Sequence, residues 1–307
     1  APEGWRSLAS VFPNYDDPLL VESGLVIVNE DDEKRYDRFR DRVMFPIRNI
    51  KGECIGFGGR VMGDGTPKYL NSPETPVFHK GRELYGLFEA RDSIHSAGYV
   101  LVTEGYMDVV ALAQWGFPNA VATLGTACTP DHVQKLFRFT DSVVFSFDGD
   151  NAGREAAWRA LDNALSHLQD GRELKFVFLP DGEDPDSLVR QIGKEGFEAL
   201  LDKAQSFADF MFERLGRDAA LSGEAGKFEV ANKAAELIRR VPEGFTREGL
   251  ITRLSSMMRW GENKQRIASR NARGAASREV ERALALAEEA RDLDGLVARL
   301  DDVAALR

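Results

Sequence analysis

Cysteine is nearly absent: two in 307 residues, Cys54 and Cys128, with no Cys-x-x-Cys pair. That excludes a disulfide framework and gives no cysteine zinc site, so zinc is not expected and a reduced, cytoplasmic protein is. Histidine is scarce too. The four residues, His79, His95, His132 and His167, show no ligand spacing and are expected on the surface or in loops. No apolar run reaches the length of a membrane span, and no charged-then-apolar leader opens the chain, so no membrane partner is expected. The chain starts Ala1-Pro2-Glu3 without a methionine, as a fragment or a processed product would. Apolar residues are plentiful, at 43%, enough to fill cores in two or three domains.

The formal net charge is −10, which alone speaks against a polyanionic partner. The distribution speaks differently. Lys34–Arg91 holds 12 lysines and arginines against 7 acids, whereas Asp141–Glu213 holds 7 against 16. A basic front beside an acidic middle can be a phosphate track next to a cation-collecting cluster, or ordinary solvated surface.

Alternation at Val43, Phe45 and Ile47, a turn near Lys51-Gly52, and then Ile55 and Phe57 predict antiparallel strands over 42–62. Pro46 puts the first at an edge or a bulge. Gly56, Gly58 and Gly59 leave room for a backbone or a ligand to come close. Gly65–Gly81 has no core pattern and is expected to be a structured loop at best. From Tyr85, short apolar runs at 99–103, 120–122, 142–147 and 174–179 alternate with helical patterns at 106–115, after Thr129-Pro130, and at 152–168. Trp115 and Trp158 lie in those helical patterns and are expected in the core. Apolar strands between amphipathic helices predict a parallel sheet covered on both faces. Beyond Phe207 the pattern is helical, with Phe228, Ala231, Ala234, Ala235, Ile238 and Val241 on one face. The expected fold is α/β. Its parts are a mixed α/β basic subdomain over 1–83, a parallel-sheet domain over 84–206, a helical bundle over 207–268, and a helical linker or the start of a further region over 269–307.

Acidic side chains follow three of the strands. Glu104 ends the first, Asp148 and Asp150 the third, and Asp184 and Asp186 the fourth. In an extended segment residues i and i+2 point the same way, so Asp148 and Asp150 present two carboxylates to one point. Such a pair repels unless a cation lies between, and Mg²⁺ is the usual partner; Asp-Gly is equally turn and capping chemistry. For Asp-Gly-Asp alone the two readings are even. In a doubly wound sheet, however, the carboxyl ends of the strands share one edge, where ligands bind. Acids at three such ends favour a metal site.

These residues carry a resemblance. Val102-Thr103-Glu104-Gly105-Tyr106-Met107-Asp108-Val109 followed by Phe147-Asp148-Gly149-Asp150-Asn151-Ala152-Gly153 resembles the Toprim signature of bacterial replicative primases of the DnaG type. Arg42–Arg48, Gly56-Phe57-Gly58-Gly59-Arg60, Thr66–Thr75 and His79-Lys80-Gly81 are similar to that family's basic N-terminal subdomain. The likeness covers roughly 34–215. It implies the RNA polymerase region of a primase, with a Toprim-type centre over 84–206, making short RNA primers on single-stranded DNA from ribonucleoside triphosphates. It also implies Glu104, Asp148 and Asp150 as catalytic metal ligands, with Asp184 and Asp186 completing the acidic pocket. Mg²⁺ is the implied cofactor, with Mn²⁺ as a substitute. By the same resemblance Arg38, Arg60, Lys68, Tyr69 and Lys80 form a ridge that follows template and nucleotide phosphates. The family's zinc ribbon is missing, and its helicase-binding domain is absent or reduced to the last helix, so the replicative helicase is not expected to dock on this part.

Taken alone, the basic residues say less. Arg38, Arg40 and Arg42 recur every second residue, which fits a solvated face better than a binding strand. Tyr69 suits base stacking and loop anchoring about equally. Two rival functions remain. An aspartate-nucleophile phosphatase also ends a strand in Asp-x-Asp, but its pair follows an early strand. A Toprim-like DNA-binding module of a repair or recombination assembly would bind without turnover.

Overall fold

In this computed structural model, residues 1–29 and 33–268 are described, the side chains of 219–228 and 258–268 excepted. Two units result, Ala1–Arg159 with Lys175–Ala204, and Ala160–Leu174 with the chain from Gln205 onward.

The first unit opens with a 3-10 turn at Ser7–Ser10 and a short helix, α1 (Pro18–Glu22). Asp17 caps α1 by accepting the Leu19 N–H. An antiparallel ribbon follows, β1 (Val26–Val28) with β2 (Arg35–Asp37). Its Asp37 is buried, and accepts from the Tyr15 hydroxyl at 2.7 Å and the Leu8 N–H at 2.9 Å. Next come β3 (Arg42–Arg48) and β4 (Cys54–Val61), antiparallel as expected. Pro46 lies on the edge strand β3, and the register shifts between Ile47 and Arg48.

Three expectations change here. Within 65–81 lies a strand, β5 (Tyr69–Asn71), pairing with β4, and Phe78 beyond it is fully buried. Three residues are too few for alternation to show, and β4 supplies the partner. The close approach at Gly58 is made by a side chain: a Cβ there would stand 2.8 Å from the Tyr106 ring. Arg38, Arg40 and Arg42 are not one solvated face, because Asp41 takes a left-handed turn (φ 49) between them. Arg40 then stacks 3.6 Å over the Trp5 ring, and Arg42 turns inward to the carbonyls of Gly59, Pro67 and Lys68.

The main sheet of this unit is built from β6 (Val100–Thr103), β7 (Ala120–Ala122), β8 (Ser142–Phe147) and β9 (Glu173–Phe178), in the order β9-β8-β6-β7. β6 runs parallel to β7 and to β8, and all four residues of β6 are buried. Helices cover it: α2 (Leu87–Ala97), α3 (Tyr106–Gln114), α4 (Pro130–Leu136), α5 (Asn151–Ala164) and α6 (Pro185–Leu201). Leu101, Leu112, Phe117, Val144, Val189 and Phe197 form one core among them. Continuous apolar strands therefore give the expected two-faced parallel packing. Trp115 is 37% exposed rather than core, since α3 has ended at Gln114, and Trp158 is half-buried.

In the second unit a two-residue strand, β10 (Gln205–Ser206), precedes α7 (Phe207–Arg240) and α8 (Phe245–Ala268). Ala231, Ala234, Ala235, Ile238 and Val241 are buried as the spacing predicts; the Phe228 side chain and the expected helix over 269–307 lie outside the described residues. Asp170 accepts the N–H groups of Phe245 and Thr246 at 2.9 and 2.8 Å, capping α8 from another segment. Arg240 reaches Asp162 at 2.5 Å.

Candidate acidic centre and phosphate ridge

Buried β6 emerges at Glu104, whose side chain is exposed, and Gly105 then opens α3. Neighbouring β8 emerges in the same direction at Asp148 and Asp150, both exposed. Glycine between the two aspartates is a packing requirement. A Cβ on Gly149 would lie 1.9 Å from the Leu179 carbonyl oxygen, and one on Gly153 would lie 2.1 Å from the Asp148 carbonyl oxygen. The backbone of the acidic turn is thus pressed onto β9's exit and onto itself. Asp150 accepts the Gly153 N–H at 2.7 Å, so it also caps the first turn of α5.

Electrostatics shows which acids face each other. Partial burial pushes the Glu104 carboxyl above its usual range; Asp148 and Asp150 push it further, and Arg159 opposes them. Asp148 is raised by burial, then by Asp150 and Asp184. Glu104 thus lies within the electrostatic reach of both Asp148 and Asp150. Asp184 faces Asp148, while its own carboxylate accepts the Ser187 N–H at 2.7 Å as the cap of α6. Asp186 turns aside to Arg190 at 2.5 Å. The five acids form two overlapping groups joined by Asp148 and Asp184.

Asp108 belongs to the second group and was given no role from sequence. It accepts the N–H of Gly105 at 3.2 Å and the backbone N–H of Asp186, tying the exit of β6 to the start of α6. Burial, then Asp184, pushes its carboxyl up to about 7. A signal existed: an acid at the third position of a helix is where a capping carboxylate sits.

The basic residues divide similarly. Arg60 on β4 pairs across to Tyr69 on β5, with its guanidinium 5.9 Å from the Tyr69 ring centre, and the Lys68 ammonium is 5.7 Å from the same ring. Tyr69 is 44% exposed and meets Tyr106 of α3 edge-on at 5.5 Å. Lys68 is exposed; Lys80 is half-buried, in a loop beyond β5. Arg38 is half-buried, and among the described residues its Nε and that of Arg60 have no hydrogen-bond partner. His132, expected at the surface, is fully buried and held on three sides.

Against known proteins, residues 1–91 match the model of the DNA primase catalytic core, N-terminal domain, and 101–189 a Toprim-like model. The solved Escherichia coli primase catalytic core is 51% identical, with a TM-score of 0.80 over 83% of this chain and 82% of that one. A DNA primase domain from Pseudomonas aeruginosa is 52% identical, with a TM-score of 0.79 over 83% and 81%. This chain belongs to the DnaG-type bacterial primases. The DNA primase of Pseudomonas putida is 54% identical over 260 residues, 84% of this chain but 39% of that protein. The chain thus spans about two fifths of the length of the curated primases it matches.

Membership in the primase family alters one expectation. Residues 208–263, read from sequence as a bundle without a helicase contact, match the model of the DnaB-helicase binding domain of primase. A primase core also implies divalent metal, and the donor set can be tested for it. Glu104, Asp148 and Asp150 offer oxygens alone, are open to solvent, and repel one another. That suits a hard ion that keeps its waters and takes one or two carboxylates. Among the described residues no three His, Cys, Asp or Glu side chains stand close enough to hold an ion by themselves. The chemistry of the donors fits a hard divalent ion.

Proposed function

We propose that this chain is the catalytic core of a primase, joining ribonucleoside triphosphates into short RNA primers on a single-stranded DNA template. The observation that carries it is the pressure of Asp148 and Asp150 on the Glu104 carboxyl at the parallel exits of β6 and β8. One related catalytic domain, 51% identical, has been solved bound to single-stranded DNA. Among the described residues no helix is long and apolar enough to cross a membrane. A cytoplasmic setting is part of the same reading.

Nucleotidyl transfer needs a 3′-hydroxyl in line with an α-phosphate while negative charge builds on phosphate oxygens. Divalent ions, Mg²⁺ in this reading with Mn²⁺ as a substitute, would supply Lewis acidity to the transfer when bound. Glu104, Asp148 and Asp150 would hold them, with Asp184 beside Asp148. Arg60, Lys68 and Lys80 would carry the phosphates, and Tyr69, flanked by two cations, would stack on a base. Arg38, already half-buried with an unpartnered Nε, would add a contact at the ridge. The bundle matched to the helicase-binding model would take part in docking a replicative helicase.

Asp148→Asn and Asp150→Asn should each cut primer synthesis by about 100-fold or more, through lost stabilisation of transition-state charge, with the fold intact. Incorporation of labelled ribonucleotides on bare single-stranded DNA, in Mg²⁺ and in Mn²⁺, reads this directly. Near-normal incorporation by either variant would overturn the reading. Metal-dependent DNA binding by the parent chain without incorporation would make it a binding module instead.

A further inference from the structure

Four consecutive residues, Lys80 to Glu83, are each tied to one short segment, Thr129 to Lys135. The Thr129 hydroxyl donates to the Gly81 carbonyl at 2.6 Å. Arg82 pairs with Asp131 at 2.9 Å, and Glu83 with Lys135 at 2.8 Å. At the centre is His132, whose Nε2 lies 2.9 Å from the Lys80 carbonyl and 3.0 Å from the Glu83 carbonyl. Carbonyls only accept, so Nε2 carries the proton. Nδ1 stands 3.2 Å from the Thr129 N–H, which donates to it, so Nδ1 carries none. One tautomer of one neutral ring satisfies all three partners.

The same fixed loop is held from its other side. Glu74 accepts the Lys80 N–H at 3.0 Å and meets His79 at 3.0 Å. The backbone of Lys80 is thus bonded at both N–H and C=O. Among the described residues its ammonium forms no ion pair within 4 Å, although its charge helps hold the Glu74 carboxyl below the usual range. A lysine loses much rotamer freedom when it grips a phosphate, so a rigid backbone beneath it matters.

We infer that His132 is a positioning residue for nucleic-acid binding: it fixes the backbone of Lys80 so that the ammonium meets a backbone phosphate of the single strand. The inference rests on Lys80 being a phosphate contact, as in the reading above. His132 touches no nucleic acid itself, and its effect passes through the Lys80 carbonyl.

The test is a double-mutant cycle on affinity for a fluorescein-labelled oligo-dT strand, with salt titration and a urea melt of every variant. Lys80→Ala should weaken binding several-fold and flatten the salt slope by about 0.7, one contact to a single strand. His132→Ala should do much the same in the parent and nothing further in the Lys80→Ala background. His132→Gln, whose amide can accept from Thr129 and donate to one carbonyl, should recover most of the affinity. Thr129→Val, which removes the bond to Gly81 and the α4 cap on the His132 N–H but keeps the ring, is a second route if the alanine variant does not fold; its loss too should vanish in the Lys80→Ala background. Losses at His132 that multiply with those of Lys80→Ala, tracking the urea midpoints instead, would overturn the positioning role. Unchanged binding in Lys80→Ala would remove Lys80 from the phosphate contacts and the inference with it. Absence of primer synthesis in the parent chain would count against the primase reading alone.

Discussion

A buried imidazole that accepts at one nitrogen and donates at the other has no place for a second proton. Burial lowers the His132 pKa below 6.5; the carbonyls of Lys80 and Glu83 and the charge of Asp131 oppose this, and Lys135 adds to it. The folded protein therefore binds this proton less well than the unfolded chain. The contribution to stability is complete above about pH 6.5 and is lost as pH falls through the lower folded value. His132→Gln removes that dependence, so the gap in urea midpoint between parent and variant should narrow from pH 7.5 to pH 5.5. Parallel curves would mean that the ring accepts its proton in place. From sequence, His132 showed nothing beyond its place after Thr129-Pro130. Two of its three ring partners lie 49 and 52 residues away and are backbone carbonyls, which no residue pattern encodes. Glu104, Asp148 and Asp150 were legible for the opposite reason, because the end of an apolar strand announces where its next side chain goes.

At the level of elements, the acidic turn is set by what lies behind it. Gly149 faces a backbone carbonyl at the exit of β9, and backbone cannot step aside as a side chain would. Gly149→Ala should therefore cost about 1–3 kcal/mol, the range for overpacking a tight site. The contact also links β8 and β9, so Asp148 and Asp150 should move with it. A urea melt together with a Mg²⁺ titration of primer synthesis would check both, and a melt matching the parent would show that the turn has slack. Gly58→Ala is the milder counterpart, since its neighbour is the Tyr106 ring. Long elements were readable because burial repeats along them: β6, β8 and α3 lie within a residue or two of their expected limits. β5 was not, since three residues owe their pairing to β4. Asp186, expected to complete the acidic pocket, also pairs with its i+4 neighbour Arg190, a contact that the strand-end pattern did not reveal.

For the whole molecule, a net charge of −10 and the proposed polyanionic template are reconciled by where the charges sit. Coulomb forces between exposed charges fade over about 8 Å at physiological salt, so a strand lying on Arg60, Lys68 and Lys80 responds to those cations more than to distant acids. Binding should accordingly weaken steeply with salt, as release of counterions from contacted phosphates requires. Lys68 is the sharpest probe, being exposed with its ammonium beside the Tyr69 ring. Lys68→Ala should lower affinity for single-stranded DNA several-fold and reduce the slope of log affinity against log salt by about 0.7, with no change in the urea midpoint. Removing an exposed acid that belongs to the second unit, as in Glu229→Gln, should leave that slope alone although it too changes the net charge by one, in the opposite direction. Fluorescence anisotropy across a salt series separates the two. Equal slopes for the parent and Lys68→Ala would take Lys68 out of the phosphate track. A shift in slope with Glu229→Gln would mean that total charge, rather than its placement, governs the encounter.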